Sequence, residues 1–128
     1  MRKFADAAKW CLVGLLIGLA IVNSRAADPW DSTDKALAAV ALTATVVDWG
    51  QTRTIAKNPD TWFEKNPLLG EHPTLGEVNR HFALGILAGA AIAHYLPSAG
   101  RKTFLTVLSV IEIGVTANNH RIGIRVGF

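Results

Sequence analysis

Four apolar blocks separated by polar gaps constrain this chain more than any other feature. They run from Trp10 to Val22, Ala36 to Val47, Phe82 to Leu96 and Phe104 to Ala117. Blocks of this length and spacing fit a small membrane bundle better than a soluble core. At 128 residues the chain is one domain at most. Half of it is hydrophobic and 18% is charged, which does not by itself prove insertion in lipid; the uneven spread carries the reading.

Residues 1–27 read as a signal peptide or an N-terminal anchor, with a cleaved signal the favoured form. Arg2, Lys3 and Lys9 make a basic start, Trp10 to Val22 an apolar core, and Ser24-Arg25-Ala26 a small-x-small cleavage pattern. That core is shorter than the roughly 20 residues a spanning helix needs. Gly14 and Gly18 have a close-packing spacing, but glycine is also common in signal cores. Cys11 is the sole cysteine, so an internal disulfide and a thiolate metal cluster are excluded. The formal charge of +3 does not point to nucleic acid. The basic residues sit beside the ends of apolar blocks, with no aromatic platform or basic glycine-rich loop.

Residues 28–128 read as a helical membrane domain. Trp30 suits the headgroup level, and Ser32 or Thr33 is placed to cap the helix that follows. Ala36 to Ala56 is the first spanning candidate; Thr45, Asp48 and Thr52 share one face, with Gln51 alongside. Asn58-Pro59 and Asn66-Pro67 mark turns in the long polar stretch after it. Thr74 and Glu77 have the capping-box spacing and open a helix that runs through Val78 to Leu96, carrying Gly85 and Gly89 as a helix-packing pair. Pro97 to Lys102 reads as a tight turn. Thr103 to Asn119 is the last span, with Ser109, Glu112, Thr116 and Asn119 in one polar stripe. Residues 122–128 alternate like a strand. No other stretch does so over the roughly 10 residues a barrel strand needs, so a barrel is rejected.

The fold expected is therefore all-α: three spans plus a signal or a fourth, anchoring helix. Orientation follows the basic residues. One arrangement puts Arg2, Lys3, Lys9, Arg53, Lys57, Lys65, Arg80, Arg121 and Arg125 on the cytoplasmic side of a bacterial inner membrane, leaving Arg25, Lys35, Arg101 and Lys102 outside. The polar stretch and residues 122–128 are then cytoplasmic. Asp48, Gln51 and Thr52 converge there with His81 and Arg80, with Asn118, Asn119 and His120, with Glu112 deeper and with Glu64 from the loop. Carboxylates beside imidazole in a partly dry site hold a metal ion or an activated water, or carry a proton. The same groups also satisfy one another as structural glue.

One more pattern bears on function. The run D-W-G-Q-T-R at 48–53, N-P-L-L-G-E-H-P at 66–73, Val78-Asn79-Arg80-His81-Phe82, Leu96-Pro97, Glu112, Asn119 and a final Gly-Ile-Arg-Val-Gly-Phe resembles a group of small uncharacterised bacterial integral-membrane proteins. The resemblance covers most of the chain after residue 28. It implies a membrane location and a signal-like start, with no assigned activity. It directs attention to Asp48, Gln51, Thr52, Glu64, Asn66, Pro67, His81 and Glu112. The first expectation is a non-enzymatic module that packs against itself or a larger membrane protein through Gly85 and Gly89. The alternative is a membrane-embedded hydrolase assisted by one divalent metal, with Asp48, Glu64, His81 and Glu112 catalytic and Gln51, Thr52, Asn66, Asn119 and His120 ligand-binding. A weaker third is an ion or proton path along Glu112 and Asp48. H-E-x-x-H, G-x-S-x-G and phosphate-loop patterns are lacking.

Overall fold

The computed structural model describes residues 27–128. The signal or anchor expected at 1–27, with Cys11, Gly14 and Gly18, lies outside the described residues apart from Ala27. The described chain is an all-helical bundle of three helices with no strand: α1 Ser32–Lys57, α2 Leu75–Tyr95 and α3 Ser98–Arg121.

Local chemistry sets the helix starts. Asp31 caps α1, in place of Ser32 or Thr33. Its carboxylate accepts from Asp34 N at 2.8 Å, and the Asp34 carboxylate accepts from Asp31 N at 3.2 Å, which satisfies two amides that lack partners in the first turn. α2 opens on the Thr74–Glu77 capping box read from the sequence. α3 departs from expectation: Pro97 is its N-cap and Ser98 is already helical, so most of the expected turn is helix. Proline cannot supply an amide proton, and Asp28 Oδ2 accepts from Ser98 N at 2.8 Å, so the early start leaves that amide satisfied.

After α3, Gly123 takes φ 101°, a conformation that favours glycine, and the chain turns back. Residues 122–128 form no strand but lie along α1. Gly127 N donates to Gly50 O at 3.0 Å, and Thr54 Oγ1 donates to Arg125 O at 2.7 Å. Gly50 is needed for this approach, because a Cβ there would collide with Val126 and lie 2.9 Å from the Phe128 ring.

α1 packs along both other helices, most extensively along α3, while α2 and α3 touch least. The interior mixes alanines with larger apolar residues such as Ile55, Val78 and Phe82. Ala41, Ala93 and Leu105 are buried, with Trp30, Leu37 and Leu108 packed around them. Many large apolar side chains face outward instead, including Leu84 and Leu87 on α2 and Val110 and Ile111 on α3.

The expected spans need correction. Helices stand close to the expected positions, yet no helix among the described residues is long and apolar enough to cross a membrane. Length is not what fails, since the shortest helix has 21 residues. The shortfall is in apolarity: Asp34, Asp48, Gln51, Arg53 and Lys57 lie within α1, and Arg101, Lys102, Glu112 and Asn119 within α3.

Candidate functional site

Two polar clusters mark the two ends of the bundle. The first joins the start of α1 to the start of α3 and was missed in the sequence. Arg101 is fully buried, and so is Asp34. Arg101 Nη1 donates to Asp34 Oδ2 at 2.8 Å, Nε to Ala93 O at 2.8 Å, and Nη2 to Asp28 O at 2.8 Å and Leu96 O at 3.1 Å. The Trp30 ring stands 4.8 Å from the guanidinium carbon. Lys102 Nζ donates to Asp31, Asp34 and the Ser98 hydroxyl. Burial works against the charged form of Asp34, but hydrogen bonds from Lys102, the Asp31 amide and Arg101 outweigh it, and its carboxyl titrates below its ordinary value. Lys102, with the Asp34 amide behind it, lowers Asp31 in the same way.

The second cluster is the expected one, and the structure assembles it in part. Asn119 Nδ2 lies 3.4 Å from Asp48 Oδ1 as its donor. Gln51 and Thr52 are each 2% exposed, and Gln51 Nε2 donates to Thr116 O at 3.2 Å while its Oε1 has no partner. The loop brings Glu64 inward: its amide donates to Glu71 O, and its Oε1 accepts from Asn66 N at 2.7 Å. Asn66 Oδ1 accepts from Leu68 N, and Asn66 Nδ2 lies 3.3 Å from His81 Nε2. Asn66 therefore ties the Asn-Pro turn to the start of α2. Asp48 lies within electrostatic reach of both Glu112 and Glu64, and His81 within reach of Glu64. The Oε2 of Glu112 is buried and has no hydrogen-bond partner among the described residues.

Other expected members do not join. His120 is exposed, and its carbonyl accepts from Arg125; Arg80 and Asn118 are also exposed. Among the described residues, no three His, Cys, Asp or Glu side chains gather closely enough to hold a metal ion, so the four catalytic candidates do not form the expected metal site. Sequence reading missed Trp49, Arg53 and Asn79. Asn79 Oδ1 accepts from Trp49 Nε1 at 3.0 Å and Arg53 Nη1 at 2.6 Å, and Trp49 stacks on Phe82 with centroids 6.0 Å apart. The D-W-G-Q-T-R motif contained this signal, since Trp49 and Arg53 stand four apart on one helix face.

A cleft of about 290 Å³ opens where α2 and α3 separate. Trp30, Ala93 and Leu105 line one end, Gly85, Gly89 and Ala90 the middle, and Thr45, His81 and Glu112 the other end. Among the described residues, Gly85 and Gly89 pack against no other element: a Cβ on either would meet no atom of them within 4 Å.

Searches of family models, curated proteins and solved structures return no match to the chain.

Proposed function

We propose that the protein is a small integral membrane protein of the bacterial inner membrane. The bundle sits in lipid with its polar side chains turned inward, and it acts as a non-enzymatic binding module rather than a hydrolase. One observation carries this reading: polar side chains are buried while large apolar ones face outward. Asp34, Gln51, Thr52, Arg101 and Ser109 are buried, whereas Leu87 is 67% and Val110 66% exposed. Water penalises a contiguous apolar surface of this kind; lipid does not, and polar groups in lipid must find partners inside the bundle.

The low apolarity of the helices fits such a placement. Mean hydropathy averages every face of a helix, and here the inward faces supply the polar residues. Phe82 to Ala93 on α2 carries no charge, and on α3 the stretch Phe104 to Ala117 carries only Glu112, which turns toward the cleft. At about 1.5 Å per residue these stretches make a band of roughly 20 Å. A band thinner than the roughly 30 Å hydrocarbon core is matched by local thinning and by long basic side chains reaching outward. Lys57, Arg80 and Arg121 are exposed beyond one edge of the band. Binding is favoured over hydrolysis because the catalytic candidates lack a metal-holding arrangement while the cleft remains open.

The test is fractionation of the full chain expressed in bacteria. It is expected in the membrane pellet, resistant to alkaline carbonate and released only by detergent. Recovery in the aqueous supernatant without detergent overturns the proposal.

A further inference from the structure

We propose that the cleft between α2 and α3 binds an aliphatic amine, with its hydrocarbon chain along Gly85, Gly89 and Ala93 and its ammonium group at Glu112. The inference rests on cleft geometry, so it stands or falls separately from the membrane placement.

The first observation is shape. The cleft runs beside α2 from His81 to Ala93, about 18 Å at about 1.5 Å per residue. Its volume of about 290 Å³ is close to the lower limit of small-molecule pockets, roughly 300 Å³. That suits one slim chain rather than a bulky ring system. Glycine at 85 and 89 keeps the middle of the channel open, since neither has a neighbour among the described residues within 4 Å of a built Cβ.

The second observation is the chemistry at the closed end. Glu112 Oε2 is a buried oxygen with no partner among the described residues. The Thr45 hydroxyl spends its proton on Ala41 O at 2.9 Å, so it presents only lone pairs to the cleft. The Asp48 carboxyl stands within electrostatic reach of Glu112. The ion pairs among the described residues all lie at the other end of the bundle, so no cation of the described chain neutralises this one. The Glu112 and Thr45 oxygens accept, with a ring N–H of His81 beside them, so a cationic head group rich in N–H satisfies most of this end. The site disfavours a fatty acid, whose carboxylate would meet carboxylates. It also disfavours an alcohol, which brings one proton and no charge.

The experiment uses the purified full chain in non-ionic detergent solution, which needs no insertion in a bilayer, with decylamine, decanol and decanoate as probes in native mass spectrometry. The expected result is saturable retention of one decylamine per chain, with decanol and decanoate at least tenfold weaker. Glu112→Gln should weaken decylamine at least tenfold. Gly89→Leu and Gly85→Leu fill open space and should abolish binding while the helical circular dichroism and unfolding temperature stay at wild-type values. If one of these does not fold, the other gives the answer. Retention of all three probes alike, or of decylamine undiminished in a folded Gly→Leu variant, overturns the proposal. So does a wild-type dimer that Gly89→Leu dissociates with no change in amine binding, which would make the face an interface between copies.

Discussion

The two ends of the bundle bury comparable polar chemistry and resolve it in opposite ways. At the Arg101 end every charge has a partner: Asp34 receives Arg101, Lys102 and an amide, and Arg101 spreads its donors over a carboxylate and three carbonyls. At the Asp48 end, carboxylates approach one another, and Gln51 and Glu112 each hold a buried oxygen without a partner. A buried group that is fully satisfied fixes packing. One left unsatisfied lowers stability, and the groups free to meet a ligand are of this kind. The difference separates a structural lock from a site, although both are clusters of charge beside apolar helices.

The largest effect expected follows from removing the lock's cation. Arg101→Ala leaves the buried Asp34 carboxylate with Lys102 and the Asp31 amide alone and frees three carbonyls; loss of one partner from a buried pair costs about 3 to 5 kcal/mol, part of which Lys102 offsets. Thermal unfolding of the purified protein should show the largest drop of any single variant in the bundle. Arg101→Lys should recover little, because an ammonium cannot reach four acceptors in the directions the guanidinium fork does. An Arg101→Ala protein as stable as wild type would erase the contrast between the two ends.

Titration sharpens the same comparison. Asp31 and Asp34 titrate below the ordinary 3.8 when folded, so their contribution is in place above that value and is lost as pH falls through the folded-state values. Lys102 is raised above 10.5, chiefly by Asp31 and then Asp34, so its share is in place below that value and fades in stronger alkali. Unfolding temperature should be flat with respect to this lock between those limits and fall on the acid side. In Arg101→Ala the acid fall should be shallower, because one of the groups that lower Asp34 is then gone and its protonation costs less.

A smaller loss is expected on the α1 face that receives residues 122–128. Gly50→Val places side-chain atoms where Val126 and Phe128 lie. Both are largely exposed and able to move, so a cost near the low end of overpacking, about 1 kcal/mol, is expected. Limited proteolysis should then cut after Arg121 or Arg125 faster than in wild type.

These elements were not equally readable from the chain. Thr74 and Glu77 act across three residues, so the start of α2 was visible, and so was the Asp48–Asn119 meeting, since each residue lies on the polar stripe of its own helix. The Arg101–Asp34 pair joins residues 67 apart, and no local spacing announces it. Beside Pro97, Ser98 and Gly100, Arg101 looks like part of a turn. Its helical start depends on Asp28, a residue 70 positions away. The cleft was invisible for a related reason. Gly85 and Gly89 have the spacing of a packing face, and periodicity does not say whether a second helix fills that face or leaves it open. The glycines are where the sequence placed them; the missing neighbour is a property of how α2 and α3 diverge.

The smallest effect expected is also the most discriminating. Glu112→Gln keeps the size of the side chain and removes a carboxylate oxygen that has no partner in the fold. A structural carboxylate loses bonds on such a change; this one has none at Oε2 to lose among the described residues, and Asp48 is relieved of a neighbouring carboxylate. Unfolding temperature should therefore stay level or rise slightly without added amine, while Arg101→Ala falls steeply under the same conditions. A drop in Glu112→Gln as large as that at Arg101 would mean that Glu112 holds the bundle together through partners of its own, and the two ends would then be locks alike. A level or raised temperature, paired with weakened decylamine retention, separates the roles: one buried charge is kept for the fold, and the other is kept at a cost to the fold.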